Sequence, residues 1–172
     1  MMKDGAIAAC SNGARQAQQW VNDLADDLNE GGERHALRLL RSVLHALRDA
    51  ISLKEAADLS AQSPILVRGI FFEGWQPSAT PAWNRTKGDF VARIQNDLRD
   101  DPFADTEGAI AAVLRLLDSH ISEGEKTWRR LKGEDRLPMV IASVKFTDGV
   151  ALTAPPERPR DPILAIAPSV SR

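Results

Sequence analysis

The chain has 172 residues, 43% of them hydrophobic and 27% charged. It is too apolar for a disordered chain, its apolar runs are too short for a membrane span, and a domain of this size buries roughly 70% of its unfolded surface. Twenty-two Lys and Arg against 24 Asp and Glu leave a net charge of −2, so no global field draws it to nucleic acid or anionic lipid. A single cysteine, Cys10, excludes an internal disulfide or a cysteine-based zinc site and fits a reducing, cytoplasmic compartment.

At the start, Ile7-Ala8-Ala9-Cys10 has the form of a small-residue site before a lipidated cysteine. An export signal needs an apolar stretch of about 7–15 residues ahead of such a site, and Asp4-Gly5 leave only Ala6 to Ala9. An unprocessed, frayed start is therefore expected. The sequon Asn84-Arg85-Thr86 matters only in a secreted protein.

Helix signals follow one another. A first helix is predicted over 14–28, with Trp20, Leu24 and Leu28 on one face, and Gly31-Gly32 breaks it. A second runs over 33–51, where Leu37, Leu40, Leu44, Leu47 and Ile51 form a stripe widened by Leu39 and Val43. Ser52 and Glu55 form a capping box for a third helix carrying Ala56, Ala57 and Leu59. Pro64 suits the first turn of a fourth, over 65–73, in which Gly69 and Gly74 are expected to allow close packing and then a stop. Residues 75–84, with Pro77 and Pro81, form a loop. Thr86 and Asp89 cap a fifth helix bearing Phe90, Ile94 and Leu98, Pro102 ends that region, and a sixth runs over 107–121. Ser122 and Glu125 repeat the capping box for a short seventh helix through Trp128 and Leu131.

The two halves correspond at an offset of 70 residues: Trp20 with Phe90, Val21 with Val91, Leu24 with Ile94, Leu28 with Leu98, Leu40 with Ile110, Val43 with Val113, Leu44 with Leu114, Leu47 with Leu117 and Ile51 with Ile121. Apolar periodicity alone would match some of these pairs, but the capping boxes fall in the same register. The pattern reads as an internal duplication. From Pro138 onward the helical period is lost and six of the ten prolines occur; residues 140–153, around Asp148-Gly149, suggest a small hairpin, and the rest an extended or disordered tail. The PxxP form of Pro156-Glu157-Arg158-Pro159 reads as solvated tail. The expected architecture is all-α: a helical domain at 14–137, built as a bundle of two pseudo-repeated helical hairpin units at 14–81 and 86–137, then a Pro-rich tail at 138–172.

Several ordered stretches carry a family resemblance: Ala36-Leu37-Arg38, Val43-Leu44-His45-Ala46-Leu47-Arg48-Asp49, Glu55-Ala56-Ala57-Asp58-Leu59 and Ala61-Gln62-Ser63-Pro64. It continues through Leu66-Val67-Arg68-Gly69-Ile70-Phe71-Phe72-Glu73-Gly74-Trp75 and Thr80-Pro81. Together they resemble the bacterial family of uncharacterised proteins called domain of unknown function 2267, over roughly residues 20–137. The tail departs from that pattern. The resemblance implies an all-helical domain and assigns no activity, cofactor or catalytic residue.

The most informative chemical feature is a basic stripe. Arg34, Arg38, Arg41, His45 and Arg48 recur at spacings of 4, 3, 4 and 3. At about 100° per residue they fall within about 80°, opposite the apolar face of the second helix. In the plain structural reading they neutralise the acids of the first helix, Asp23, Asp26, Asp27 and Glu30, at about 0–1 kcal/mol for each exposed pair. In the functional reading they hold an anion or an acidic partner. Seventy residues on stand Ala104, Gly108, Ala111, Arg115 and Asp118, so the repeated scaffold does not itself require the stripe. Trp75 and Trp83, flanking the prolines of the connecting loop, are a second candidate interface, or else pin that loop to the core.

Enzyme signals are poor. His35, His45 and His120 lack metal-ligand spacing, no GxSxG, P-loop or Rossmann fingerprint occurs, and Cys10 has no neighbouring base. The sequence therefore points to a non-catalytic cytoplasmic interaction module without cofactor or metal, binding an unknown protein partner or itself through the Arg stripe and the Trp loop. The alternative is a ligand-binding or enzymatic bundle with a pocket between the repeats for an anionic small molecule. Nucleic acid ranks third, since one stripe offers few phosphate contacts.

Overall fold

The computed structural model describes residues 4–79 and 86–121, and among them the protein is an all-helical bundle. The helices are α1 (Asp4–Leu28), α2 (Gly32–Ala50), α3 (Leu53–Ala61), α4 (Ile65–Phe72), α5 (Lys87–Asp97) and α6 (Thr106–His120), with a short 3-10 turn at Pro77–Ala79. Trp83, the Asn84 sequon, the Ser122/Glu125 box, the seventh helix, the hairpin and the Pro-rich tail all lie outside the described residues.

Local chemistry explains most boundaries. Asn29, Gly31 and Gly32 take positive φ, which turns the chain from α1 into α2. A side chain at Gly31 would also run into the His35 ring. The Ser52 hydroxyl accepts from the Glu55 amide while the Glu55 carboxylate accepts from the Ser52 amide, closing the expected box at α3. Pro64 stands at the N-cap of α4 rather than inside its first turn. Arg68 turns back from α4 to donate to the carbonyls of Ser60 and Ala61, which satisfies the end of α3. Thr86 and Asp105 cap α5 and α6 by accepting from the amides of Asp89 and Gly108.

Three expectations need correction. Helix α1 begins ten residues before position 14: its first turns lack an apolar period, but alanine needs none to stay helical. Leu37, placed in the core stripe of α2, is 40% exposed at the stripe's edge. Gly69 does not serve close packing, because a Cβ there would meet nothing within 4 Å. The glycine that does allow helices to approach is Gly13 of α1, where a Cβ would come 2.6 Å from the Ile65 side chain of α4. Replacing exposed Gly69 by Ala should therefore stabilise the protein by about 0.5–1 kcal/mol in urea unfolding; a destabilised variant would show a close contact on that face after all.

Helix α2 is central, packing on α1, α4, α5 and α6. Its Leu39, Leu40, Val43, Leu44 and Leu47 are fully buried with Leu24 of α1, Phe71 of α4, Ile94 of α5 and Leu114 and Leu117 of α6. Helix α1 lies on α6, and α5 lies on α2. In seven of the nine pairs at offset 70 both members are buried; Leu28 and Val91, each in one of the others, are partly buried. Polar ties seal both crossings: Arg115 pairs with Asp27 at 2.7 Å and His120 with Asp23 at 3.3 Å, while Arg93 pairs with Asp49 at 2.6 Å.

Candidate functional site

The basic stripe does not face a neutralising α1. Arg41, His45 and Arg48 reach instead to the end of α4, which crosses the C-terminal half of α2 and brings its last carbonyls over the stripe, and Arg38 reaches Asp101 in the α5–α6 connection. Arg48, expected at a partner-facing surface, is only 4% exposed. Its Nη1 donates to the carbonyls of Phe71 and Glu73 at 2.8 and 2.9 Å, and its Nε and Nη2 to the Asp49 carboxylate. A buried guanidinium thus caps the end of α4, a structural role. His45 is half-buried, and its Nε2 donates to the Ile70 carbonyl at 2.7 Å; that acceptor fixes the neutral ring as the Nε2–H form.

Arg38 and Arg41 remain more open. Arg38 meets Asp101 at 3.2 Å and Arg41 meets Glu73 at 2.8 Å, each through one guanidinium nitrogen. Both pairs are solvent-exposed and worth about 0–1 kcal/mol, so either arm can swing away at little expense. Arg34 is exposed and has no partner among the described residues. Two acids of α1 are engaged elsewhere, Asp23 with His120 and Asp27 with Arg115.

Between α2 and the end of α5 lies a cleft of about 310 Å³, lined by Arg38, Arg41, Ser42, His45, Asp97 and Leu98. Buried Ser42 forms part of its wall and donates its hydroxyl to Asp97 Oδ2 at 3.0 Å. Ser42 and Asp97 are not singled out by the sequence, and Leu98 is marked there only as a core position of the fifth helix. The available signal was the offset of 70, which pairs Asp97 with Asp27 of the acidic run. A second, larger hollow of about 810 Å³ lies at the α5–α6 connection, beside Phe103, Asp105, Glu107, Gly108 and Ala111. Its acids are engaged, Asp105 as the α6 cap and Glu107 with Lys87.

Burial lowers the pKa of His45 below its ordinary 6.5, and the charges of Arg48 and Arg41 lower it further, against the opposing Ile70 carbonyl and Glu73. The ring is thus neutral at pH 7. The unfolded chain protonates first as pH falls below about 6.5, so His45's contribution to stability is present above that value and is lost below it. Stability measured in urea at about pH 7.5 and about pH 5.5 should fall more steeply for the wild type than for His45→Gln; parallel slopes would remove His45 as the cause. Asp49 is held below its usual value: burial would raise it, but hydrogen bonds and charge from Arg48 and Arg93 outweigh that.

Trp75 is half-buried against the core, its ring 5.0 Å from Phe72, and its indole N–H has no acceptor among the described residues. His35 is buried and stacks on Phe103 at 3.7 Å. His120 stacks on Trp20 at 4.7 Å. Among the described residues no group of three His, Cys, Asp or Glu side chains is placed to hold a metal, and no helix is long and apolar enough to cross a membrane.

Fold and site together define a helical bundle with a small charged cleft along one interhelical edge. The chain belongs to the family described as uncharacterized conserved protein DUF2267, whose model matches residues 17–134. No curated protein matches it.

Proposed function

We propose that the protein is a non-catalytic binding module whose working surface is the α2–α5 cleft, entered past Arg38 and Arg41. One observation carries this reading. Two guanidinium arms overhang a polar cleft in one half of the chain, while the positions 70 residues on are Gly108 and Ala111. Helix α6 forms with Gly108 and Ala111 at those positions, and the exposed single ion pairs of Arg38 and Arg41 hold the arms only weakly. Guanidinium donors of this kind suit carboxylate or phosphate oxygens. A binding role without catalysis fits a neutral His45 whose Nε2–H is committed to a backbone carbonyl. A reducing, cytoplasmic location fits the single cysteine.

A second reading takes the same face as a docking surface for an acidic protein, or for another copy of the chain. Arg34, exposed and without a partner among the described residues, favours it, as it extends the charge beyond the cleft.

Calorimetric titration of the full chain with citrate, pyrophosphate and an oligoglutamate peptide tests the proposal. Saturable binding of at least one, weakened about tenfold or more in Arg38→Gln/Arg41→Gln at equal helicity, is expected. Equal binding by the double variant would remove the cleft as the working surface. Binding of the peptide alone would favour the protein-docking reading.

A further inference from the structure

Asp97 is a carboxylate with no cation in ion-pair distance among the described residues. Its counterpart 70 residues earlier, Asp27, is paired with Arg115 at 2.7 Å across the α1–α6 crossing. At the α2–α5 crossing the place of Arg115 is taken by His45, and that ring gives its Nε2–H to the Ile70 carbonyl instead. Asp97 therefore receives only the Ser42 hydroxyl, on Oδ2, and its Oδ1 has no partner among the described residues. The carboxylate is exposed and lines the same cleft as Arg38 and Arg41.

The cleft thus holds two guanidinium arms, each in one exposed ion pair with Asp101 or Glu73, and one carboxylate that no cation among the described residues neutralises. A bare anion held by the guanidinium groups meets the Asp97 carboxylate nearby, and that repulsion weakens its binding. A ligand whose oxyanion draws the two arms away from their exposed pairs with Asp101 and Glu73, and whose ammonium meets Asp97, answers both signs of charge in the cleft. The cleft volume of about 310 Å³ lies at the lower end of the ~300–1,000 Å³ of ligand sites and limits the occupant to a small molecule. Resting on the cleft being the working surface, we propose that it selects small zwitterionic ligands, with the oxyanion on Arg38 and Arg41 and the ammonium on Asp97. An amino-acid-like carboxylate and an amino-alkyl phosphate share this chemistry.

Calorimetry on the full chain with matched probes tests it: L-glutamate against glutarate, and phosphoethanolamine against ethyl phosphate. In at least one pair the amine-bearing member should bind about tenfold tighter. Asp97→Asn should bring that pair to within about threefold, and Arg38→Gln/Arg41→Gln should lose both members, with circular dichroism confirming that each variant stays helical. Equal binding of amine-bearing and amine-free probes by the wild type would overturn the zwitterion assignment and leave an anion cleft standing. If none of the four probes binds, both the assignment and the cleft as a small-molecule site fall. An amine preference that survives in Asp97→Asn would overturn the role of Asp97 alone.

Discussion

Replacing Arg48 by Met should destabilise the protein by about 3 kcal/mol, although the substitution keeps an unbranched apolar stem. Arg48 is buried, and its guanidinium supplies the donors for the Phe71 and Glu73 carbonyls at the end of α4. Methionine would leave both carbonyls without that donor and Asp49 with Arg93 as its remaining cation. Removing one partner of a buried charge pair costs about 3–5 kcal/mol, and the surviving Arg93 contact places this case at the low end. Arg41→Gln, which breaks a single exposed pair with Glu73, should change stability by less than about 1 kcal/mol. Urea unfolding of both variants checks the contrast; losses of similar size would mean that the stripe acts as uniform surface charge.

A loss of about 3–5 kcal/mol is expected for Phe71→Ala. The ring is 1% exposed, meets Phe72 edge-on at 5.0 Å, and is, with Val67, one of the two buried residues of α4. With only eight residues, α4 is too short to hold itself helical and depends on this anchoring. Leu66→Ala on the same helix, at a side chain 48% exposed, should cost less than about 0.5 kcal/mol. The Ile70 and Phe71 carbonyls that engage His45 and Arg48 lie on α4 as well. Loosening α4 should therefore also raise the His45 pKa toward its ordinary value, a shift readable by NMR. An unshifted His45 in a destabilised Phe71→Ala would break that link between packing and site.

Helix boundaries were legible where side-chain chemistry is local. The Ser52/Glu55 box, the Thr86 cap and the Gly31-Gly32 break each depend on residues within a few positions of one another, and each occurs as expected. Among the described residues the apolar stripes placed the core correctly apart from Ala57, which is exposed, and Leu37, whose position at the edge of the stripe left its burial to a neighbour that does not cover it. The partners of the basic stripe were not legible. Opposite charge on the adjacent α1 suggested a pairing, but which helix crosses above Arg41 and Arg48 is a tertiary fact, and it is α4. The cleft was hidden for the same reason. Arg38 and Asp97 are far apart in sequence and on different helices, and only the crossing of α5 over α2 brings them to one hollow.

The most direct test of the cleft as the working surface is NMR amide-shift mapping of the full chain against L-glutamate. Saturable shifts concentrated at residues 38–45 and 97–98, and absent in Arg38→Gln/Arg41→Gln, are the predicted result. Shifts concentrated instead on the outward side of α4 around Ile65 and Leu66, or along the acidic run of α1, would contradict it.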